Sequence, residues 1–340
     1  MKYTKFADDD FKVSKICLGT MNFADRCDYK TSEEIVRLAW ELGINFIDTA
    51  AMYTNGEAER YLGKAMKALP REKIFLVTKV VKGIDRDSIL SGIDESLKRL
   101  QTDYVDLYLI HWPVQGMDLI EMMESLNQVV RAGKTRNIGV CNFPAYLLAA
   151  GNRIAQERGW KKLNCNQVAY NLIERGVEVE ILPQAILENL AIMAYRPLAI
   201  GLLTGKFSQG MKMDPTTRGA TDSRVITWLS DYGKSVDRFV HYAEEKGIHP
   251  AQLAAAWVCH CPAVTAPIIG VSSTRQLLSS VEAINVELSD EDYVNITEMF
   301  PTEVWEESLQ LFPGLKFNFP RLRRNLFLHK AKYLSDDDRK

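Results

Sequence analysis

The stretch Asn45-Phe46-Ile47-Asp48-Thr49-Ala50-Ala51-Met52-Tyr53 begins as a short apolar run, reaches a carboxylic acid, and carries a tyrosine five residues further on. Two later apolar runs end in a similar way: residues 75–79 close on a lysine, and residues 105–111 close on a histidine. Buried strands seldom carry such polar groups. We therefore interpret the three stretches as successive buried strands whose polar ends lie together.

Short apolar runs like this first stretch recur along the chain, and they alternate with longer amphipathic segments of helical periodicity. Repeated strand–helix units predict a parallel sheet covered by helices. Eight units over roughly 270 residues favour a closed (β/α)8 TIM barrel over an open sheet, and no G-x-G-x-x-G motif follows the first strand. The predicted strands are 16–20, 46–50, 74–79, 104–111, 135–141, 165–170, 191–196 and 265–271, and the predicted helices are 31–42, 57–67, 87–100, 119–131, 144–157, 179–189, 231–246, 250–259 and 274–283.

Three parts of the chain exceed this minimal barrel. Residues 2–6 and 11–15 flank a polar turn, which predicts an N-terminal hairpin. A long loop at 204–226 is rich in Gly, Thr, Lys and Arg, and an aromatic and basic tail covers 301–340. Loops of this length usually act as lids or binding loops, or are disordered. Nothing resembles a linker, so we expect residues 1–300 to form a single (β/α)8 barrel, followed by a C-terminal extension.

The composition excludes several classes of partner. The 340 residues carry a net charge of -2, which gives no electrostatic case for nucleic acid or for an anionic membrane surface. We find no secretory signal and no apolar run of the roughly 18 residues that span a membrane. The six cysteines are scattered without a C-x-x-C pair, which indicates reduced thiols and a cytoplasmic location. Cys259-His260-Cys261 lacks a second pair of ligands, so we expect no metal site.

The polar ends of the three strands form a plausible reaction centre. In a parallel barrel the C-terminal strand ends share one rim, where active sites lie, so Asp48, Lys79 and His111 are expected to meet below Tyr53. A phenol has a pKa of about 10. A lysine ammonium about 4 Å away favours the phenolate by about 4 kcal/mol, or roughly 3 pK units. The phenol of Tyr53 would then be a usable general acid.

The other two side chains have complementary roles in this hypothesis. Asp48 would orient the ammonium group, and His111 would donate a hydrogen bond to an oxygen on which negative charge develops. This arrangement suits the reduction of a carbonyl group, with the hydride supplied by a cofactor because no side chain supplies one.

Each residue also has an ordinary structural interpretation. Asp48 could cap a loop, Lys79 could lie at the surface, and His111 could be a buried histidine with satisfied hydrogen bonds. However, His111 is the only one of the five histidines at the end of a predicted barrel strand. Three consecutive strands that end in such groups are difficult to explain by structure alone, so we favour the functional interpretation.

Several short segments along the chain form a recognisable series. They are Phe46-Ile47-Asp48-Thr49-Ala50 with Tyr53, Thr78-Lys79, His111-Trp112-Pro113, Ile138-Gly139-Val140-Cys141-Asn142-Phe143, Gln167 with Tyr170-Asn171-Leu172, Tyr195-Arg196-Pro197-Leu198, Gly201-Leu202-Leu203-Thr204-Gly205-Lys206 and Pro267-Ile268-Ile269-Gly270. In their order and spacing the chain resembles the aldo-keto reductases over about residues 1–300. The resemblance implies the tetrad Asp48, Tyr53, Lys79 and His111. It also implies NADP(H), or less often NAD(H), bound across the barrel mouth without a Rossmann domain.

The resemblance further implies which residues bind the cofactor. Asn142 and Gln167 are expected to hydrogen-bond the nicotinamide carboxamide, since each side chain offers a donor and an acceptor. Tyr195 is expected to stack on the ring, unless it is an ordinary aromatic residue at a strand end. Cys141 stands where the family usually has serine. The full implied set is Gly19, Thr20, Met21, Asp48, Cys141, Asn142, Gln167, Tyr195, Arg196, Pro197, Leu198, Gly201, Leu203, Gly205, Lys206, Arg224, Gly270, Ser272 and Gln276.

The phosphate-binding part departs from the family pattern. Residues 201–224 resemble the family's belt over the pyrophosphate, with charge from Lys206 and Arg224. Arg196 replaces a common serine and could alter the pocket, engage an acidic substrate or pair with a carboxylate, which we favour. Ser272 lies where a basic residue is often found near the adenosine 2′-phosphate. We still prefer NADP(H), with NAD(H) possible.

The substrate pocket is expected to be apolar. By analogy with the family, its walls are Met21, Phe23, Met52, Trp112 and Trp228, which favours an aromatic or hydrophobic aldehyde or ketone. The sequence thus predicts an NADPH-dependent reductase of a small-molecule carbonyl, with an alcohol as the substrate of the reverse reaction. The alternative is a cofactor-sensing regulatory subunit with little turnover, and the complete tetrad favours the enzyme. The oligomeric state is not evident from the sequence.

Overall fold

The computed structural model of the protein describes residues 1–80, 83–207 and 218–301. The predicted C-terminal extension beyond residue 301 lies outside the described residues, as does the middle of the long loop predicted at 204–226.

Eight of the strands close into one parallel barrel, and two form an antiparallel hairpin before it. The strands are β1 (Tyr3–Phe6), β2 (Asp9–Ser14), β3 (Cys17–Gly19), β4 (Phe46–Asp48), β5 (Phe75–Val80), β6 (Val105–Ile110), β7 (Thr135–Cys141), β8 (Leu163–Ala169), β9 (Ala191–Tyr195) and β10 (Ala266–Gly270). The barrel order is β10-β3-β4-β5-β6-β7-β8-β9. This confirms the predicted (β/α)8 TIM barrel with an N-terminal hairpin.

The helices alternate with the barrel strands and cover them. They are α1 (Tyr29–Glu41), α2 (Glu57–Met66), α3 (Arg86–Leu100), α4 (Leu119–Arg131), α5 (Ala145–Arg158), α6 (Ile181–Glu188), α7 (Arg218–Thr221), α8 (Ser223–Glu245), α9 (Pro250–His260), α10 (Thr274–Val281) and α11 (Asp290–Glu298). Helix α8 begins eight residues before the predicted start at 231, because Asp222 caps it by accepting from the amide of Arg224. The end of the predicted loop is therefore helical. Helix α11 was not predicted.

The alternation of side chains along β5 decides which of them enter the barrel. Phe75 and Val77 pack in the inner cluster, whereas Leu76 and Val80 pack between the barrel wall and the helices. Successive strand residues point to opposite faces. This period places Lys79 inside the barrel and turns Thr78 towards the surrounding helices.

Aromatic residues fill the lower half of the barrel interior. Phe6 of the hairpin lies 4.5 Å from Phe75 and 5.9 Å from Phe46, measured between ring centroids. All three side chains are fully buried. The hairpin closes the bottom with apolar groups, and the polar ends of the parallel strands lie at the opposite, upper rim.

Membrane-spanning helices and metal-binding clusters are the two features that bear on the expected partners. Within residues 1–80, 83–207 and 218–301, none of the helices has the length and apolar character needed to cross a bilayer. In the same ranges, no three His, Cys, Asp or Glu side chains come together in a way that could hold a metal ion.

Candidate active site

Adjacent strands bring the polar groups of the upper rim together. Asp48 ends β4, Lys79 lies near the end of β5, and His111 directly follows β6. Tyr53 begins a short 3-10 turn after β4. The ammonium nitrogen of Lys79 lies 2.8 Å from Asp48 Oδ2 and 3.1 Å from the hydroxyl oxygen of Tyr53. One buried lysine therefore contacts both the carboxylate and the phenol.

Lys79 is charged despite complete burial. Burial is the largest single effect and lowers its pKa, but the raising effects, of which the carboxylate of Asp48 is the largest, together outweigh it, and the pKa lies above its usual value. The ammonium group also donates to the carbonyl oxygen of Thr49 at 2.8 Å. With three acceptors around it, the ammonium has a partner for each of its protons.

The phenol of Tyr53 is less acidic than the sequence predicted. Burial raises its pKa to about 12, and the opposing effect of Lys79 is smaller. The expectation that the pKa would fall by roughly 3 units was therefore wrong for the protein alone. It allowed for the neighbouring charge and omitted the cost of burying a phenolate.

His111 is neutral at physiological pH. Burial, and then the positive charge of Lys79, lower its pKa to about 3. Its ring meets the ring of Tyr53 edge-on at 6.2 Å and stacks on Trp112 at 6.3 Å. Its buried Nδ1 has no partner in the described part of the chain. A neutral imidazole can still donate one hydrogen bond from the nitrogen that carries its proton.

Asp48 is held through both its side-chain carboxylate and its backbone carbonyl oxygen. Besides Lys79, the side-chain amide of Gln167 donates to Oδ1 at 2.8 Å. The backbone amide and hydroxyl of Thr20 both donate to the carbonyl oxygen of Asp48, each at 3.0 Å. Gln167 and Thr20, which the sequence assigned to the cofactor, therefore also fix Asp48.

A chain of hydrogen bonds crosses the opposite side of the rim. The hydroxyl of Tyr195 donates to Asn142 Oδ1 at 2.6 Å, and Asn142 Nδ2 donates to the carbonyl oxygen of His111 at 3.2 Å. Arg196 in turn donates to the Tyr195 oxygen at 3.4 Å. The two residues expected to grip and stack on a nicotinamide ring are thus connected to each other and to the histidine segment.

Arg196 pairs with a carboxylate, which was the favoured of its three interpretations. Its guanidinium lies 3.1 Å from Glu174 Oε1. Asn171 donates both to Glu174 Oε2 and to the Arg196 carbonyl oxygen, at 2.8 and 3.0 Å. The sequence did not single out Glu174, because its partner lies 22 residues away with no helical or strand period between them.

Cys141 is a buried, protonated thiol. It is 1% exposed, and burial raises the pKa of its thiol. Only a weak hydrogen-bonding group therefore stands beside Asn142.

The backbone of the segment after β9 is left-handed at several positions. Residues with positive φ recur in it, at Arg196 (58°), Ala199 (48°), Ile200 (57°), Gly201 (95°) and Gly205 (79°). Alternation of right- and left-handed residues turns successive N–H groups into a concavity that suits anions.

The side chains around this loop differ in exposure. Lys206 is exposed, whereas Pro197 and Leu203 are buried, so for these two only backbone atoms could meet a ligand. Arg224 lies on α8 rather than in a loop and pairs with Asp222 at 2.7 Å.

The segment after β10 is organised by Gln276. Its Oε1 accepts from the amide and the hydroxyl of Ser272, at 2.8 and 3.1 Å. Space beside Gly270 is open, since a β-carbon there would meet only Asn22, at 3.8 Å. Gly19 is different, because a β-carbon would lie 2.7 Å from Ile268. Gly19 thus permits close packing of β3 against β10.

Apolar side chains stand around the tetrad. A cleft of about 90 Å³ is bordered by Met52, Val80, Gly83, Ile84, His111, Trp112 and Val114. Met21 and Trp112 are 39% and 53% exposed. Trp228 is half-buried on α8 against a different core cluster. Phe23 is fully buried in the core beneath the helices, so the expectation that its side chain lines the pocket was wrong.

Glu59 is a buried charge that the sequence interpretation missed. It is 0% exposed, and it accepts from Thr78 Oγ1 at 2.6 Å and from Arg99 Nε at 2.5 Å. A signal was present, because Glu59 lies three and seven residues before the inward-facing Leu62 and Met66. That spacing places all three on the buried face of α2.

These features define a (β/α)8-barrel protein in which a carboxylate, an ammonium group, a phenol and an imidazole come together at the upper rim. Residues 15–300 match the Aldo/keto reductase family. The chain belongs to this family, and the expected resemblance is confirmed.

Relatives with curated descriptions agree with this assignment. The chain is 34% identical over 320 residues to an uncharacterized oxidoreductase, YrpG, of Bacillus subtilis, covering 88% of this chain and 96% of that protein. It is 31% identical to the aldo-keto reductase YhdN of the same organism, covering 89% and 95%. It is 29% identical to versiconal hemiacetal acetate reductase of Aspergillus parasiticus, covering 88% and 97%. Family and relatives support a carbonyl-reducing oxidoreductase.

Proposed function

We propose that this protein is a cytoplasmic reductase that converts a small-molecule aldehyde or ketone into an alcohol with NADP(H), with NAD(H) as a second possible cofactor. The observation that carries the proposal is the contact of one buried ammonium, that of Lys79, with both Asp48 Oδ2 and the Tyr53 hydroxyl, at 2.8 and 3.1 Å. A phenol placed beside a fixed positive charge is a proton donor whose conjugate base is stabilised.

Tyr53 delivers the proton in this mechanism. The carbonyl oxygen of the substrate accepts a hydrogen bond from the phenol and another from neutral His111, so negative charge that develops on it is stabilised. A nicotinamide held by Asn142, Gln167 and Tyr195 would supply the hydride that the carbonyl carbon needs. The phenol proton passes to the oxygen, and Lys79, held by Asp48, stabilises the phenolate that remains. In the reverse direction the phenolate is the base.

Three groups of residues fit the nicotinamide cofactor in this proposal. Asn142 and Gln167 present amides at the rim, which can exchange their present partners, Tyr195 and Asp48, for a carboxamide. The five residues of segment 196–205 with positive φ can turn backbone N–H groups towards a pyrophosphate. Ser272 lies two residues after β10 and offers a hydroxyl to the ribose of the adenosine, with no fixed charge to select between NADP(H) and NAD(H).

The cleft beside the tetrad indicates the kind of substrate. Met52, Trp112 and Val114 are about half exposed around His111, and among the described residues that border the cleft none carries a fixed charge. Apolar walls with one or two polar groups are typical of sites for uncharged organic ligands. We therefore propose an aromatic or hydrophobic aldehyde or ketone.

Turnover of a panel of carbonyl compounds with both cofactors tests this function. We expect oxidation of NADPH, followed at 340 nm, to be fastest with apolar aromatic aldehydes and slower with NADH. The alternative, a cofactor-sensing subunit with little turnover, predicts tight cofactor binding by fluorescence without oxidation by any compound. Absence of turnover across the panel, in protein that binds cofactor, would overturn the proposal.

The pH dependence of reduction should show no histidine ionisation. Because His111 titrates at about 3 in the folded protein, kcat/KM is expected to be flat between pH 5.5 and 8. A change in kcat/KM with a midpoint near pH 6.5 would contradict the role of His111 as a neutral hydrogen-bond donor.

The stability of the protein supplies an independent check of the same pKa. The folded-state pKa of His111, about 3, lies below the unfolded value of about 6.5. Between these values the unfolded chain therefore binds a proton that the folded chain does not. The contribution of His111 to the free energy of unfolding should decrease as the pH falls from 6.5 towards 3. Comparison with His111→Asn, which has no such group, isolates this contribution.

A further inference from the structure

The turn that carries Tyr53 has an unusual backbone. Thr54, Asn55 and Gly56 lie one after another in the left-handed region, with φ of 47°, 55° and 87°. L-residues seldom adopt this region, and a β-branched residue such as threonine is an outlier there. Such a backbone persists only where its surroundings impose it. The contacts of this turn therefore determine where the phenol lies.

Two contacts impose the turn, one from each side. Thr54 Oγ1 donates to the carbonyl oxygen of Phe23 at 3.2 Å and accepts from the amide of Ala58 at 3.1 Å. On the other side, Arg99 packs against Gly56, where a β-carbon would lie 2.7 Å from Arg99 Cδ. Arg99 is thus one wall of the turn.

Glu59 connects this wall to the strand that carries Lys79. Arg99 Nε donates to Glu59 Oε2 at 2.5 Å, and Thr78 Oγ1 donates to Glu59 Oε1 at 2.6 Å. Thr78 directly precedes Lys79 in β5. The buried carboxylate of Glu59 therefore contacts both Arg99, which packs against the Tyr53 turn, and Thr78, which precedes Lys79 in the chain.

Stability alone does not account for a charge at this place. A buried ion pair is commonly no more stabilising than apolar side chains of similar volume. The hydrogen-bond partners of Glu59 are Arg99 and Thr78, so it contacts neither of the groups that exchange the proton. The carboxylate of Glu59 instead supplies two directional hydrogen bonds, which fix the positions of α2, α3 and β5 relative to one another.

We propose that Glu59 is a positioning residue that, through Arg99 and Thr78, sets the separation between the Tyr53 hydroxyl and the Lys79 ammonium. The inference rests on the proposed function, in which these two groups act together. Their interaction weakens as the distance grows, so a looser turn leaves the phenolate less stabilised. The reaction then slows although every reacting group is still present.

Thr78→Val tests the link with little risk to the fold. It removes the hydroxyl but keeps the volume and the branched β-carbon of a strand residue, and it leaves Glu59 paired with Arg99. We expect kcat to fall roughly tenfold with KM nearly unchanged, within the range that small misplacements cost. Thr78→Ser, which retains the hydroxyl, should restore turnover.

A second readout is independent of turnover. With 3-fluorotyrosine at position 53, the 19F shift reports the pKa of that phenol, and the fluorine brings the pKa into an accessible range. We expect Thr78→Val to raise this pKa, because the lysine stabilises the phenolate less. Thr135→Val is the matched control, since Thr135 is a buried threonine at the far end of β7 that donates to the Asn137 carbonyl oxygen at 2.8 Å.

The outcomes separate the two levels of the proposal. If Thr78→Val matches Thr135→Val in turnover and in the phenol pKa, and only loses stability, then Glu59 is merely structural and the inference is overturned. If the unmodified protein reduces no carbonyl compound, the proposed function fails. In that case the 19F titration still decides whether Glu59 positions Tyr53.

Discussion

Tyr53→Phe is expected to lower the rate of carbonyl reduction by about 10²- to 10⁴-fold, the range that general acid catalysis contributes. The variant removes only the hydroxyl that lies 3.1 Å from the Lys79 ammonium. It keeps the ring that meets His111 edge-on. Without the phenol no proton reaches the carbonyl oxygen from a positioned donor. Steady-state kcat with NADPH and an apolar aldehyde measures the effect.

Cofactor binding is the control for this variant. The residues proposed to hold the nicotinamide, Asn142, Gln167 and Tyr195, are not bonded to Tyr53. We therefore expect the Kd for NADPH, from fluorescence quenching, to change less than about threefold, or roughly 0.6 kcal/mol. Turnover within a few-fold of the unmodified protein would exclude Tyr53 as the acid. Loss of cofactor binding as well would show that the variant had disturbed the rim.

Lys79→Met is expected to abolish turnover and also to lower the free energy of unfolding by about 3–5 kcal/mol, the usual consequence of removing one partner of a buried ion pair. Lys79 is 0% exposed and Asp48 is 1% exposed. The substitution leaves the carboxylate with Gln167 as its remaining side-chain donor. Methionine fills a similar volume, so the loss comes from an unpaired charge rather than from a cavity. Urea unfolding and kcat measure the two effects.

The double variant Asp48→Asn/Lys79→Met distinguishes stability from catalysis. Removing both charges leaves no buried ion unpaired, so part of the lost free energy of unfolding should return. Turnover should stay absent, because the phenol still lacks its ammonium. Recovery of activity together with stability would mean that Lys79 acts on the fold rather than on Tyr53. No recovery of stability would mean that the two charges are not energetically coupled.

Much of the fold and the tetrad follows from the sequence. Short apolar strands alternate with amphipathic helices, and such units pack as a parallel sheet covered by helices, which eight units close into a barrel. Once the barrel is given, strand ends such as Asp48, Lys79 and His111 share one rim. The predicted start of helix α8 lay too far along the chain. The first turns of the helix lie in a polar segment, and its capping residue, Asp222, is not distinctive in the sequence.

Other properties depend on contacts between residues far apart in the chain. Gln167 reaches Asp48 across 119 residues, and Arg99 reaches Glu59 across 40. No local pattern encodes such pairs. The same holds for burial, which encloses Phe23 in the core and raises the pKa of Tyr53 to about 12. A sequence shows which charges are near a strand end, but not how much water surrounds them.

The sequence by itself thus determined the barrel and the identity of the four polar groups, because both follow from local periodicity and from strand ends that share a rim. The stretch that ends in Asp48 and continues to Tyr53 already contained half of the site. Only the tertiary structure decided how acidic the phenol is, which carboxylate pairs with Arg196, and what holds the Tyr53 turn beside Lys79. The physical reason is that solvation and long-range hydrogen bonds exist only once distant segments have packed together.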